Sequence, residues 1–257
     1  SVTGSYAELI ALYAAGTAGR ITGLGNEAVT VTGSLTVADA NELAPKTTGV
    51  VTATIADGDM ATLAGLTETG NAYTITVTDA SVAAAALNTL DGKTTVAIDA
   101  TAVGTFTGLV ADVKIAIASS EITTSLGYAA TLTDASVSVA DANIVAADTT
   151  GVVTASITEQ AAATLATLTG TGNAYTITVA GTAQAAQLNT INAATTVQVA
   201  ATGVTTITGT FSEFTTLLAA RTESEITLAA DFRATVTDAS ISVANANVLD
   251  AATSGVV

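Results

Sequence analysis

Apolar and polar residues alternate in short runs along this chain, and the runs recur. In Tyr73-Thr-Ile-Thr-Val77 the residues Tyr73, Ile75 and Val77 fall on one face and Thr74 and Thr76 on the other, the period-two signature of a half-buried strand. Comparable runs at Val51–Ile55, Thr95–Ile98, Ala130–Thr133, Val152–Ile157, Tyr175–Val179 and Thr196–Val199 predict strands whose starts are mostly 21 to 23 residues apart. Between strands the period lengthens. "DASVAAAALNTL" carries Leu87 and Leu90 three apart behind Ser81 or Asp79 as N-cap, and "TEQAAATLATL" carries Leu165 and Leu168 behind Thr158. "ADGDMATLAGL" and "GTAQAAQLNTI" repeat the arrangement with Leu63 and Leu66 and with Leu188 and Ile191. Each predicts one or two helical turns with a single apolar stripe, too short to stand without tertiary support.

A longer period contains the short one. "TGNAYTITV" is identical at Thr69–Val77 and Thr171–Val179, and "TTGVVTATI" at Thr47 returns as "TTGVVTASI" at Thr149, both offset by 102 residues. "LNTL" at Leu87 returns as "LNTI" at Leu188, and "SEIT" recurs at Ser120 and Ser224. The phrase "DASVSVADANIVAADTTGVV" (Asp134–Val153) matches "DASISVANANVLDAATSGVV" (Asp238–Val257) at 13 of 20 positions, with an earlier copy at Thr32–Val51. The reading that follows has residues 1–31 closing a preceding repeat, 32–133 and 134–237 as two repeat units, and 238–257 opening a following one, with both ends as cuts within something longer. Strand, sharp turn, short helix and return in about 22 residues predict a repeat solenoid. This is a parallel β-sheet with short helices in alternating coils, leucine-rich-repeat-like or β-helix-like. Tandem immunoglobulin-like β-sandwiches are the alternative for a unit of this size, but they need about seven antiparallel strands and leave no place for the LxxL stripes. The stretch Thr101–Gly127, with its counterpart Thr202–Asp231, is less regular and is expected to be an extended coil; Phe211–Ala220 reads as a fuller helix.

Composition agrees with stacked small units. Hydrophobic residues make up 49% of 257, yet Trp, Cys and His are absent and aromatics are 4%, so many small aliphatic contacts must substitute for a few large anchors. Twenty-two acidic residues against six basic ones give a net charge of −16, which argues against nucleic acid and anionic membranes as partners. Mean hydropathy is +0.57 and Gln160–Ser212 is free of charge. Thr, Gly, Asn and Gln interrupt that stretch before about 18 apolar residues can accumulate, so no membrane insertion is expected.

The absence of His and Cys removes the usual catalytic triads and thiolate metal sites. The carboxylate pairs Asp57/Asp59 and Glu223/Glu225 remain, but Asp57 and Asp59 read as Thr158 and Gln160 in the next unit, which makes them turn or cap residues and not a repeated site. No catalytic or cofactor-binding residue is expected. Calcium is the one candidate ion, with Asp79, Asp134 and Asp238 of the recurring "TDAS" phrase and Asp39 and Asp141 of "ADAN" as its carboxylates. The competing reading makes these aspartates strand-to-helix caps, and Asp141 becoming Asn245 favours it. Asn41, Asn143, Asn247, Asn88 and Asn189 are expected at turns, bonding backbone of their own and the neighbouring coil. A Thr-x-Thr ladder of the kind that binds ice does not persist from coil to coil.

Phrases such as "TDASVSVADAN" and "LNTL" in an acidic, Cys-free, Ala/Thr/Val-rich chain resemble the long repeat regions of giant bacterial surface proteins, those of cyanobacterial type above all. The resemblance covers essentially the whole chain and implies an extracellular, non-enzymatic, calcium-assisted array. The expected function is therefore a structural segment of a stalk, fibre or surface layer, whose partners are further repeats of the same chain or identical subunits. The alternative is an adhesin-type module that recognises a glycan or host surface, dependent on calcium.

Overall fold

The computed structural model describes residues 1–257, which divide into two compact units, Ser1–Tyr128 and Ala129–Val257. The cut falls just ahead of the phrase that begins at Asp134. In the first unit the elements are β1 (Val2–Gly4), α1 (Tyr6–Thr17), β2 (Val29–Leu35), α2 (Val37–Leu43), β3 (Val51–Ile55), α3 (Met60–Leu63) and β4 (Ala72–Thr74). They are followed by β5 (Ser81–Ala83), α4 (Ala84–Asp91), β6 (Ile98–Ala100), β7 (Thr105–Gly108), α5 (Val110–Ala118) and β8 (Ile122–Thr124). The second unit holds β9 (Ala129–Leu132), α6 (Val139–Asp148), β10 (Val153–Ser156), α7 (Ala162–Leu165), β11 (Ala174–Thr176) and β12 (Thr178–Gln184). It continues with α8 (Ala185–Ala194), β13 (Val199–Gly209), α9 (Phe211–Thr222), β14 (Ile226–Leu228), β15 (Arg233–Val236) and α10 (Val243–Ala252).

Every strand pair within the units is parallel. The first unit has the ladders β1-β2-β3-β4, β5-β7 and β6-β8. The second has β9-β10-β11 and β12-β13-β14, with β15 also on β13. This is an α/β fold of parallel sheets and short helices, and it corrects the sandwich alternative, whose strands would pair antiparallel. Parallel neighbours need a crossover, and a short helix supplies it in most cases.

The alternation explains the strands. β3 is buried at Val51, Ala53 and Ile55 and exposed at Thr52 and Thr54. The helices bury one stripe each: Val37, Ala40 and Leu43 in α2, Leu87 and Leu90 in α4, Leu188 and Ile191 in α8. Aromatics are few but placed at the centre, with Tyr73, Tyr175, Phe214 and Phe232 fully buried and Phe106 edge-on to Tyr128 at 4.7 Å. One glycine shows how tightly successive turns approach. A Cβ on Gly255 would lie 2.4 Å from the carbonyl oxygens of Asp231 and Phe232, so no larger residue fits there.

Several helices were not expected. The "VADAN" phrase forms α2 and α6, and the irregular Thr101–Gly127 stretch contains α5. Two proposed caps are corrected: Ser81 lies in β5 ahead of α4, and α7 starts at Ala162 with Ala161, not Thr158, at its N-cap. Neither helix has a side-chain N-cap of its own.

Candidate functional site

The polar residues that recur gather at the ends of the helices, where four amides and four carbonyls lack intrahelical partners. α2 is capped by Thr36, whose hydroxyl accepts from the Asp39 amide at 3.1 Å while Asp39 accepts from the Thr36 amide at 3.2 Å. Ser138 and Ser242 cap α6 and α10 in the same way, accepting from the amides of Asp141 and Asn245 at 3.1 and 3.2 Å. Asp39 and Asp141 are thus the third helical residue, not the cap, and the capping groups are the hydroxyls three residues earlier.

The first helical amide is met from the next coil. Asp57 accepts from Val37 N–H at 2.7 Å, Asp79 from Met60 N–H at 2.7 Å, Glu159 from Val139 N–H at 3.0 Å and Asp238 from Phe211 N–H at 2.7 Å. These carboxylates lie 19 to 27 residues beyond the helix they serve. A negative charge there satisfies an orphan donor and faces the positive end of the helix dipole. Asp57 therefore pairs in role with Glu159, which corrects the alignment of Asp57 with Thr158: the carboxylate is a repeated feature. A sequence signal existed. Each of these acids stands two residues beyond the last apolar residue of its strand, at Ile55, Val77, Ile157 and Val236. Asp134 has the same spacing from Leu132 and sits, half-buried, in the bend after β9; it does not cap α6, because Ser138 does. Replacing Asp57 or Glu159 by Ala is expected to cost about 1 kcal/mol each, and by Asn or Gln less than half of that, since the acceptor oxygen survives. Urea midpoints of the four variants check this.

Asparagines tie neighbouring coils together as expected, but from helices and not from turns: Asn41, Asn88, Asn143, Asn189 and Asn247 lie within α2, α4, α6, α8 and α10. Asn41 donates to Gly65 O at 2.7 Å and accepts from Thr67 N–H at 3.0 Å; Asn143 does the same with Thr167 O and Thr169 N–H, both at 2.8 Å. Asn88 and Asn189 donate to the carbonyls of Asp112 and Glu213. Two asparagines of the "TGNAY" phrase were missed. Asn71 and Asn173, 6% and 4% exposed, accept from the amides of Val51 and Val153 at 2.9 Å.

Thr-Thr and Thr-Ser pairs that follow the helices form a second tie. Thr195 donates to Tyr175 O at 2.8 Å and accepts from the amides of Tyr175 and Val197, and Thr94 does the same with Tyr73 and Val96. The next residue reaches the neighbouring coil with both its amide and its hydroxyl: Thr95 and Thr196 to the carbonyls of Asn71 and Asn173, Ser254 to that of Ala230.

Little is left for chemistry. No group of three or more acidic side chains converges where a metal ion could sit. The five calcium candidates are dispersed: Asp39 and Asp141 at the third residue of α2 and α6, Asp79 and Asp238 on the first amides of α3 and α9, Asp134 in the bend after β9. Hydrogen bonds from Thr62 hold the carboxyl of Asp59, the cap of α3, below its usual range. Asp57, beside it in sequence, is occupied at Val37. The hollow lined by Pro45, Thr47, Thr48, Gly49, Glu68 and Asn71, about 540 Å³, brings in a single carboxylate. No helix is long and apolar enough to cross a membrane. Comparison of the chain with protein-family models, with curated proteins and with solved structures returned no match.

Proposed function

We propose that this chain is a structural repeat segment of a long extracellular bacterial surface protein, of the stalk, fibre or surface-layer kind, and that it catalyses nothing. One observation carries the reading: the polar residues that recur with the repeat are used to bind one coil to the next. Carboxylates close helix N-termini, asparagines bridge turns, and threonine pairs latch strand starts. Recurrence of such residues from one unit to the next repeats the same stacking contacts. The parallel ladders of the units are then successive coils of a solenoid, which gains length by adding further coils of the same kind. Acidic surface chemistry suits such an array, because 22 acidic residues face six basic ones, of which Lys46 lies 3.9 Å from Glu42. Repulsion then opposes lateral aggregation.

Shape is the test. A compact globule of this length has a radius of gyration of about 18 Å and a diameter of about 5 nm. Stacked coils of about 22 residues add about 4.8 Å each, so 257 residues reach only about 5–6 nm. In proteins carrying two and four tandem copies of residues 32–237, electron microscopy should show rods that double in length, and compact particles would refute the array. No ion is needed for the stacking described, so the melting midpoint is expected to be the same in calcium and in chelator.

A second reading, an extracellular adhesin module for a glycan, draws on a different observation. Thr30, Thr52, Thr54, Thr74 and Thr76 stand exposed on the sheet of the first unit, with no charged residue on β2, β3 or β4. Screening against immobilised glycans, with calcium and with chelator, tests both the binding and its dependence on the ion.

A further inference from the structure

Residues that recur between the units are consumed by stacking, but two residues that depart from the repeat share one hollow. It lies in the first unit, between the chain that follows α2 and the turn ahead of β4. Its volume is about 540 Å³, and Pro45, Val50, Glu68 and Asn71 are in its lining. At the 102-residue offset Pro45, the chain's one proline, becomes Ala147 in the second unit, and Glu68 becomes Gly170. Stacking does not need either of them. Asn173 accepts from Val153 N–H in the second unit as Asn71 accepts from Val51 N–H in the first, both at 2.9 Å. Pro45 and Glu68 are exposed, and so is Val50, at 46%.

Asn71 gives an independent sign of a ligand. It is 6% exposed, and its Oδ1 is occupied by the Val51 amide. Its Nδ2 has no acceptor in the chain, yet it is not sealed in the core as Tyr73 Oη and Asn88 Oδ1 are. The two N–H groups therefore open to the hollow that Asn71 lines. Donor amide, single carboxylate and an apolar ledge of Pro45 and Val50 meet there. A calcium ion, which takes about six to eight oxygens, would face N–H donors and one carboxylate. An anion would face Glu68. A peptide binds through anchor side chains in closed pockets, and this hollow is open and has no aromatic in its lining. We propose that it is a binding site for an uncharged sugar residue. Each sugar hydroxyl can both donate and accept, so neighbouring hydroxyls of one ring meet Asn71 and Glu68 together. The C–H face of the ring then rests on Pro45 and Val50. The volume lies within the range of small-ligand sites. The inference rests on the glycan reading and gives it a site, separate from the open threonines of β2, β3 and β4.

Amide resonances of the full chain test it, with N-acetylglucosamine, galactose, mannose and cellobiose as probes. At least one is expected to shift the Asn71 side-chain and Gly70 backbone signals saturably, with a Kd of about 1 mM or tighter. The Asn173 side-chain signals should stay in place. Glu68→Gly and Pro45→Ala install the residues of the second unit, which stacks with them. The first should weaken binding about tenfold, the loss for one hydrogen bond to a charged group, and the second several-fold. Asn71→Asp keeps an acceptor for Val51 and removes the donors, and should weaken binding by about as much as Glu68→Gly. No saturable shift with any probe overturns the proposal. An equal response at Asn173 overturns it too, as does a stronger response to a blocked alanine–threonine peptide. Capture of immobilised glycans that is equal in the parent and in Glu68→Gly overturns this site and leaves the glycan reading standing, so the two failures are told apart.

Discussion

Replacing Thr195 by Val is expected to destabilise the protein by about 2–4 kcal/mol, although the substitution keeps the shape of the side chain. One hydroxyl at this position serves three backbone groups: it donates to Tyr175 O and accepts from the amides of Tyr175 and Val197. Valine would leave all three without a protein partner in a half-buried turn. An unmet buried backbone group costs about 1–3 kcal/mol, less where water reaches it. Thr94→Val should behave alike, because Thr94 makes the same three bonds with Tyr73 and Val96. The control is Thr176→Val. Thr176 is an exposed threonine on the outer face of β11, and its replacement should stay within about 0.5 kcal/mol. Melting curves and exchange of the Tyr175 amide read the contrast. Equal losses at positions 195 and 176 would mean that the latch contributes nothing beyond threonine's general preference for strands.

That contrast also marks how far the sequence could be read. Alternation made Val51–Ile55 and its relatives legible as strands, because burying one face of a strand selects apolar residues at every second position. The LxxL stripes made α4 and α8 legible in the same way. Parallel pairing followed from helical stretches between strands, since such crossovers bring the chain back in the same direction. The "VADAN" helices were harder to see. α2 and α6 are short, rich in alanine, and stripe their apolar residues as Val37/Ala40/Leu43 and Val139/Ala142/Val145, where alanine conceals the period. Threonine concealed more. The chain places it both on open strand faces and in the latches, and although Thr195 opens a Thr-Thr pair after a helix while Thr176 lies in an alternating run, the pair alone does not say what its hydroxyl bonds. What separates them is the carbonyl of a neighbouring coil some 20 residues away in sequence, which composition does not reveal. The carboxylates were misread for a related reason. Asp79 and Asp238 precede short helices, and so looked like their caps. They in fact reach back to the helix before.

The tyrosine pair should make the protein sensitive to alkali, and the double substitution Tyr73→Phe/Tyr175→Phe should remove about 5 kcal/mol of that sensitivity. Both rings are buried, 1% and 0% exposed, and neither hydroxyl has a hydrogen-bond partner in the chain. Burial pushes each phenol up from 10.0 to about 12, with Glu68 adding to the effect at Tyr73. The direction follows from where the proton sits. A folded-state value above the unfolded one means that the fold retains a proton that the unfolded chain releases. Stability is therefore whole below about pH 10 and is lost as pH climbs toward 12. Each ring accounts for about 2.7 kcal/mol of that loss. Tyr13, buried and donating to Glu27, is also raised to about 12 and stays in the variant, so part of the alkaline decline should persist. At neutral pH the double Phe variant is expected to be no less stable than the parent, and up to about 1 kcal/mol more stable per site. A hydroxyl withdrawn from water without a partner opposes folding, whereas the ring supplies the packing. Tyr175→Ala, in contrast, should cost about 3–5 kcal/mol, the range for deleting a buried aromatic. Urea midpoints at pH 8 and at pH 11.5, where about 4 of those 5 kcal/mol should already be lost, followed with tyrosinate absorbance, decide the matter. If parent and double Phe variant lose stability in parallel across that interval, the two hydroxyls are ionising in contact with water, and the core around β4 and β11 is not closed.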